Sequence, residues 1–192
     1  MKPDIDDLEE LLQKQSALQE REDLTFIPEF PVQNFKSLGE FGNGDKRHGG
    51  KHDGIDLATS EGTPATAILP GIVKKVWHET QPWVEGKGLP KQGNAILIDH
   101  PAFGLSTFYA HMKNVFVSEG QEVDATTIVG SVGKSGNARY TDPHIHFECR
   151  RNGVPINPRS IMGKEILAKT EPTSPKVRLA VLKKLYKIAN QK

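Results

Sequence analysis

Residues 142–153, DPHIHFECRRNG, put His144, His146 and Glu148 on one side of an extended chain and Ile145, Phe147 and Cys149 on the other. The apolar side is what a sheet core requires. The polar side is not: three hydrogen-bonding groups in a row have no place in a core, so that face belongs to the surface or to one wall of a metal site. Cys149 is the sole cysteine, which rules out an intrachain disulfide. Its place among the apolar residues marks it as a small buried side chain rather than a ligand.

The neighbouring sequence has the same texture. GTPATAILPGIVKKVW (62–77), GNAILIDH (93–100), LSTFYAH (105–111) and TTIVGSVG (126–133) are short β-like runs punctuated by Gly and Pro. They predict a mainly β domain over 26–162, an antiparallel sheet or sandwich core. HETQPWVEGKGLPKQ (78–92) is too polar and too rich in Pro and Gly for a strand, and it is expected to form a long surface loop.

Outside these bounds the pattern changes to helical spacing. Residues 1–25 predict an acidic helical extension carrying Ile5, Leu8, Leu11, Leu12 and Leu18. Residues 163–192 predict a basic one, in which Leu179, Leu182, Leu185, Tyr186 and Ile188 form an apolar stripe after EPTSP (171–175). Residues 1–23 carry net −5 and residues 163–192 net +6, so the termini are expected to attract each other. Neither a secretory h-region near the start nor a run of about 18 apolar residues is visible.

The chain has 192 residues, 36% of them hydrophobic and 26% charged, with a net charge of +1. This describes one core-forming domain with appendages, expected to be monomeric, and lacks the basic excess of a nucleic-acid binder. The histidines are the informative residues. In KHDGIDLA (51–58), an extended reading puts His52, Gly54 and Asp56 on one face, with the glycine clearing space between imidazole and carboxylate. In LSTFYAHM (105–112), the same reading groups His111 with Thr107 and Tyr109. Three β-like segments therefore each offer histidine from a polar face. Imidazole and carboxylate in three-ligand sets are what catalytic zinc uses, leaving a position for water.

The order H-x-x-x-D (His52, Asp56), then YAH (His111), then H-x-H (His144, His146) resembles the lysostaphin/LytM-type zinc endopeptidases of bacterial peptidoglycan. The likeness spans roughly 38–162. It takes in Phe41–Gly42, GTPATAILPGIV, GQEV followed by IVGSVGKSGN, PHIHFE and NGVPINP. It implies one Zn2+ per chain held by His52, Asp56 and His146, with His111 and His144 as the non-ligand catalytic histidines. Peptidoglycan peptides would be the substrate and the cell envelope the place of action, by a route that the sequence does not reveal.

Glu148 is expected either to fix a histidine tautomer from the same strand face or to face solvent at the strand end, and Asn157 to line the groove or serve a turn. Two positions depart from the family pattern. Asp142 stands where glycine is common, and Arg47 is a displaced counterpart of an arginine usual soon after FG. His48, four residues before His52, is a rival ligand without a carboxylate partner. Two other readings compete: a catalytically silent relative that activates another wall hydrolase, and a lipoyl-like module suggested by PGIVKKV and GQEV.

Overall fold

The alternation in 144–151 becomes a strand. In the computed structural model, which describes residues 25–44, 50–80, 84, 87 and 90–168, the His144–Arg151 segment buries Ile145, Phe147 and Cys149 completely. The strands in chain order are β1 (Thr25–Phe26), β2 (Lys36–Gly39), β3 (Ile55–Ala58), β4 (Pro64–Thr66), β5 (Gly71–Trp77), β6 (Asn94–His100) and β7 (Leu105–Met112). They continue with β8 (Asn114–Val115), β9 (Glu122–Val123), β10 (Ile128–Ser131), β11 (His144–Arg151), β12 (Val154–Ile156) and β13 (Ile166–Leu167). Every pairing among the described residues is antiparallel.

The main sheet runs β2-β3-β11-β7-β6-β5-β9, with β12 added to β11. A smaller sheet, β4-β10-β8, supplies Ala65 and Val129 to the same buried cluster as Ile55, Leu57, Ile96, Ile98, Tyr109, Ile145 and Phe147. Full burial of each large apolar side chain contributes about 1.5–3 kcal/mol, so this shared cluster joins the two sheets. The protein is thus mainly antiparallel β, as the short alternating runs predict. β1 pairs with β13 and brings Phe26 onto Phe103, ring centroids 5.2 Å apart. Ile166 and Leu167, assigned from sequence to the C-terminal helical extension, are strand residues here.

The N-terminal helical extension to residue 24, residues 169–192 of the C-terminal one, Arg47, His48 and residues 81–83, 85–86 and 88–89 of the 78–92 loop lie outside the described residues. Among those described, no helix is long and apolar enough to cross a membrane.

One sequence expectation is corrected. His111 does not share a face with Thr107 and Tyr109, which are both fully buried. In the β6–β7 pairing, Asn94 faces Met112 and Ile96 faces Tyr109, so one residue of β6 opposes both Ala110 and His111. His111 takes the extra place with φ 62°, a left-handed conformation uncommon for any residue but glycine. This bulge returns Met112 to the core and turns His111 toward His144 and His146, with ring centroids 5.1 and 6.0 Å away.

His100, which the sequence leaves without a role, is fully buried. Its Nδ1–H donates to the Pro70 carbonyl at 3.0 Å, and its Nε2 accepts from the Thr107 hydroxyl at 2.8 Å. Both nitrogens are satisfied only in the neutral ring, and burial pushes its pKa down from 6.5 to about 4. Between those values the unfolded chain binds the extra proton. Stability contributed by neutral His100 is complete above pH 6.5 and declines as pH falls toward 4, by about 3 kcal/mol in total. Urea unfolding between pH 7 and 4.5 is expected to show a shallower pH dependence in His100→Gln than in the parent chain; equal slopes would rule out this account.

Candidate metal centre

Three strands converge on one point. β11 pairs with β3 so that His146 faces Asp56, and with β7 so that His146 also faces Ala110. His52 arrives from the segment just before β3. The result is a triangle of donor atoms: His52 Nε2 to His146 Nδ1 is 3.0 Å, His146 Nδ1 to Asp56 Oδ1 is 2.8 Å, and His52 Nε2 to Asp56 Oδ1 is 3.2 Å. Tetrahedral bonds of about 2.0–2.1 Å to zinc require donors about 3.3–3.4 Å apart. The observed triangle needs to open by only a few tenths of an ångström. Two imidazoles and a carboxylate also form a donor set suited to that ion, and one ligand atom from each lies within 4.8 Å of the other two.

Glycines make the convergence possible. A Cβ on Gly54 would meet the Phe147 carbonyl, and would lie 3.0 Å from both Glu148 Cγ and His146 Cε1. A Cβ on Gly39 would come within 2.7 Å of Asp56 Oδ2 and 3.1 Å of His52 Cε1. Gly54 therefore clears space for β11 against the His52–Asp56 segment, rather than between the imidazole and carboxylate on either side of it in the sequence. Ser37, Leu38, Gly39, Glu40, Asn43 and Gly44 line a groove of about 440 Å³ that reaches His52 and Asp56.

Each histidine is oriented through its other nitrogen. His52 Nδ1 lies 3.1 Å from the Glu40 carbonyl, and His146 Nε2 lies 3.0 Å from Glu148 Oε1. A second-nitrogen contact of this kind selects the tautomer that a metal needs. His111 Nδ1 sits 3.0 Å from the Ser135 carbonyl, and His144 Nδ1 sits 2.8 Å from the Asp142 carbonyl. Donation from Nδ1–H to a carbonyl leaves Nε2 of each ring free to take or give a proton. His144 Nε2 is 4.0 Å from Asp56 Oδ1.

The electrostatics follow from this crowding. Burial works to raise Asp56, yet hydrogen bonds from His146 and His52 hold its carboxyl well below the ordinary range. The Asp56 hydrogen bond raises His52. Burial opposes charge on His146, but Asp56 and Glu148 together lift its pKa to about 9. Burial also works to raise Glu148, and His146 and Arg150 outweigh it to keep that carboxyl low. His111 has no carboxylate close enough to compensate. Burial, reinforced by the His144 and His146 rings, pushes it down to about 3, so it is a neutral imidazole at neutral pH.

Six of the seven predicted positions, His52, Asp56, His111, His144, His146 and Glu148, thus meet in one place. Asn157 does not: its Oδ1 accepts from the Arg159 N–H at 3.0 Å and caps the turn Pro158–Ser160. Asp142 touches His144 through its backbone carbonyl, and the residue itself is exposed. The Glu40 and Ser135 carbonyls were invisible to the sequence reading, because a backbone acceptor leaves no signature in residue type.

An antiparallel β core with a His/Asp/His triangle at one sheet face defines a candidate metallohydrolase class. A model of Peptidase family M23 matches residues 50–158, and the chain belongs to that family. It is 39% identical over 110 residues to the DD-carboxypeptidase/endopeptidase Mpg of Neisseria meningitidis, covering 57% of this chain and 22% of that protein. It is 33% identical over 115 residues to stage II sporulation protein Q of Bacillus subtilis, covering 59% and 37%. Among solved structures, the catalytic domain of a mutant of the prophage-encoded M23 protein EnpA from Enterococcus faecalis superposes with a TM-score of 0.55 at 33% identity. That match covers 70% of this chain and 95% of the EnpA domain. The lysostaphin catalytic domain from Staphylococcus simulans gives 0.55 at 26% identity, covering 69% and 97%. The chain therefore spans nearly the whole of these catalytic domains but only about a fifth of the Neisseria relative.

Proposed function

We propose that the protein is a zinc-dependent endopeptidase that hydrolyses peptide bonds in the stem or cross-links of bacterial peptidoglycan, acting in the cell envelope with one Zn2+ per chain. The observation that carries this reading is the donor triangle of His52, Asp56 and His146, with two further histidines beside it whose Nε2 atoms remain available. Zinc bound there would polarise the scissile carbonyl and make a water molecule acidic enough to attack near neutral pH.

The chain's own residues divide the remaining work. The helix-borne glutamate base of other zinc peptidases, carried by an H-E-x-x-H motif, is absent from the sequence, so proton transfer falls to imidazole. His111, neutral and anchored through Nδ1, offers Nε2 as the acceptor for the attacking water's proton. His144, anchored on Asp142, presents Nε2 beside Asp56, where it stabilises the developing oxyanion or returns a proton to the leaving amine. The groove beside Gly39 and Glu40 would seat the peptide.

The relative named peptidoglycan DD-endopeptidase ShyA, from Vibrio cholerae and 32% identical over 106 residues, favours direct peptide cross-links over glycine bridges. A second reading, a silent regulator, draws on the likeness to stage II sporulation protein Q. The complete donor triangle and both added histidines weigh against it.

Dye release from purified peptidoglycan tests the proposal. Release is expected with zinc, and its loss with a chelator should be reversed by added zinc. Stoichiometric zinc uptake with no turnover on any wall type would favour the regulator instead.

A further inference from the structure

Each of the two histidines in the triangle is supported by a glutamate, and each of those glutamates is held by an arginine that rests on a phenylalanine ring. On one side, Arg150 Nε donates to Glu148 Oε2 at 2.7 Å, while Glu148 Oε1 faces His146 Nε2. The Arg150 guanidinium lies 5.5 Å from the Phe108 centroid, and Trp77 meets Phe108 edge-on at 5.8 Å. On the other side, Arg159 grips Glu40 with two hydrogen bonds, 2.9 and 2.7 Å, while the Glu40 carbonyl faces His52 Nδ1. Its guanidinium lies 5.5 Å from the Phe30 centroid.

We infer that Arg150 and Arg159 are positioning residues for His146 and His52. Neither touches the donor atoms, and each acts through its glutamate. This rests on the metal reading above.

The physical need differs on the two sides. The Glu148 side chain is only 7% exposed, and a carboxylate so buried requires a cationic hydrogen-bond partner to hold it in one orientation. Its two oxygens are divided, one to Arg150 and one to His146. Without Arg150 the carboxylate is free to rotate, and His146 loses the acceptor that directs Nδ1 toward the other donors. Arg150 rests over Phe108 of β7, itself braced edge-on by Trp77, so the chain of contacts begins on a rigid element.

Glu40 works through its backbone. The Arg159 fork ties the carboxylate of the same residue to the turn Pro158–Ser160 and so limits where the carbonyl can go. That pair is exposed, 45% and 38%, and water screens it. Its contribution to His52 is therefore the smaller of the two.

Zinc affinity of the full chain, measured by competition with a chromogenic chelator, is the primary reading. Arg150→Gln is expected to weaken zinc about 10- to 100-fold, and Arg159→Gln about two- to five-fold. Arg150→Lys should recover much of the loss, because it restores a cation beside Glu148. Arg150→Gln should add little in a Glu148→Gln background, because the arginine acts only through that carboxylate. Thermal midpoints identify any variant that has simply lost its fold.

Parental affinity in folded Arg150→Gln overturns the inference, as does a full further loss in the Glu148→Gln background. If the parent chain takes up no zinc, the metal reading fails by itself. The positioning claim is then decided by NMR of the metal-free protein. A downfield, slowly exchanging Nε2–H signal from His146 should be present in the parent and lost in Arg150→Gln; its persistence in the variant overturns the claim.

Discussion

His146→Ala and His144→Ala are expected to abolish turnover for different reasons, and zinc content separates them. His146 Nδ1 is one corner of the donor triangle, 2.8 Å from Asp56 and 3.0 Å from His52. Its removal leaves two donors, so His146→Ala should purify without zinc. Losing the several kcal/mol of charge stabilisation that a metal supplies costs about 10³-fold or more in rate. His144 stands outside the triangle with Nδ1 bonded to the Asp142 carbonyl. His144→Ala should keep stoichiometric zinc and lose about 10²–10⁴-fold in kcat, the range for a removed proton-transfer group. Zinc analysis of the two purified variants beside dye-release rates is the measurement. A zinc-free His144→Ala would assign that ring to the metal instead, and a zinc-replete His146→Ala would dismantle the triangle as a site.

Gly54→Ala is the second large effect, reached without touching a donor atom. The added methyl would run into the Phe147 carbonyl on β11 and crowd Glu148 Cγ and His146 Cε1 at 3.0 Å. A flexible side chain could move aside. A backbone carbonyl within a paired strand cannot, since it is fixed by the β3–β11 ladder that opposes Ile55 to Phe147 and Asp56 to His146. Separating the two strands costs about 1–3 kcal/mol, the usual range for overpacking. It also pushes the His146 ring away from Asp56. Gly54→Ala should therefore show a lowered thermal midpoint together with weakened zinc binding. Parental values for both would mean that the strands part without cost and that glycine is not required there.

How much of this site was legible beforehand depends on the range of the signal. Alternation along β11 is local, because successive residues of a strand point to opposite faces whatever the strand pairs with. Ile145, Phe147 and Cys149 inward, with His146 and Glu148 on the other face, could be predicted for that reason. The His52–Gly54–Asp56 grouping was legible for the same reason, and the family resemblance supplied the order of the histidines along the chain.

His111 was misplaced because its orientation is not a local property. Two residues of β7 oppose one residue of β6, and that mismatch exists only once the strands are paired. The period-2 rule then changes phase between Tyr109 and Met112, and both end in the core with His111 turned outward. Asn157 was undecided from sequence for a related reason, since the same amide can line a groove or cap a turn. Arg159 N–H is the contact that decides it.

By itself, then, the sequence determined the β architecture, the residue types that meet at the site and the family to which they point. These follow from residue chemistry and the short-range geometry of an extended chain. The tertiary structure alone decided which nitrogen of each ring faces inward. That choice depends on the Glu40, Ser135 and Asp142 carbonyls and on the Glu148 carboxylate that Arg150 holds. Such contacts join residues as far apart as Glu40 and Arg159, and no spacing rule along the chain encodes them.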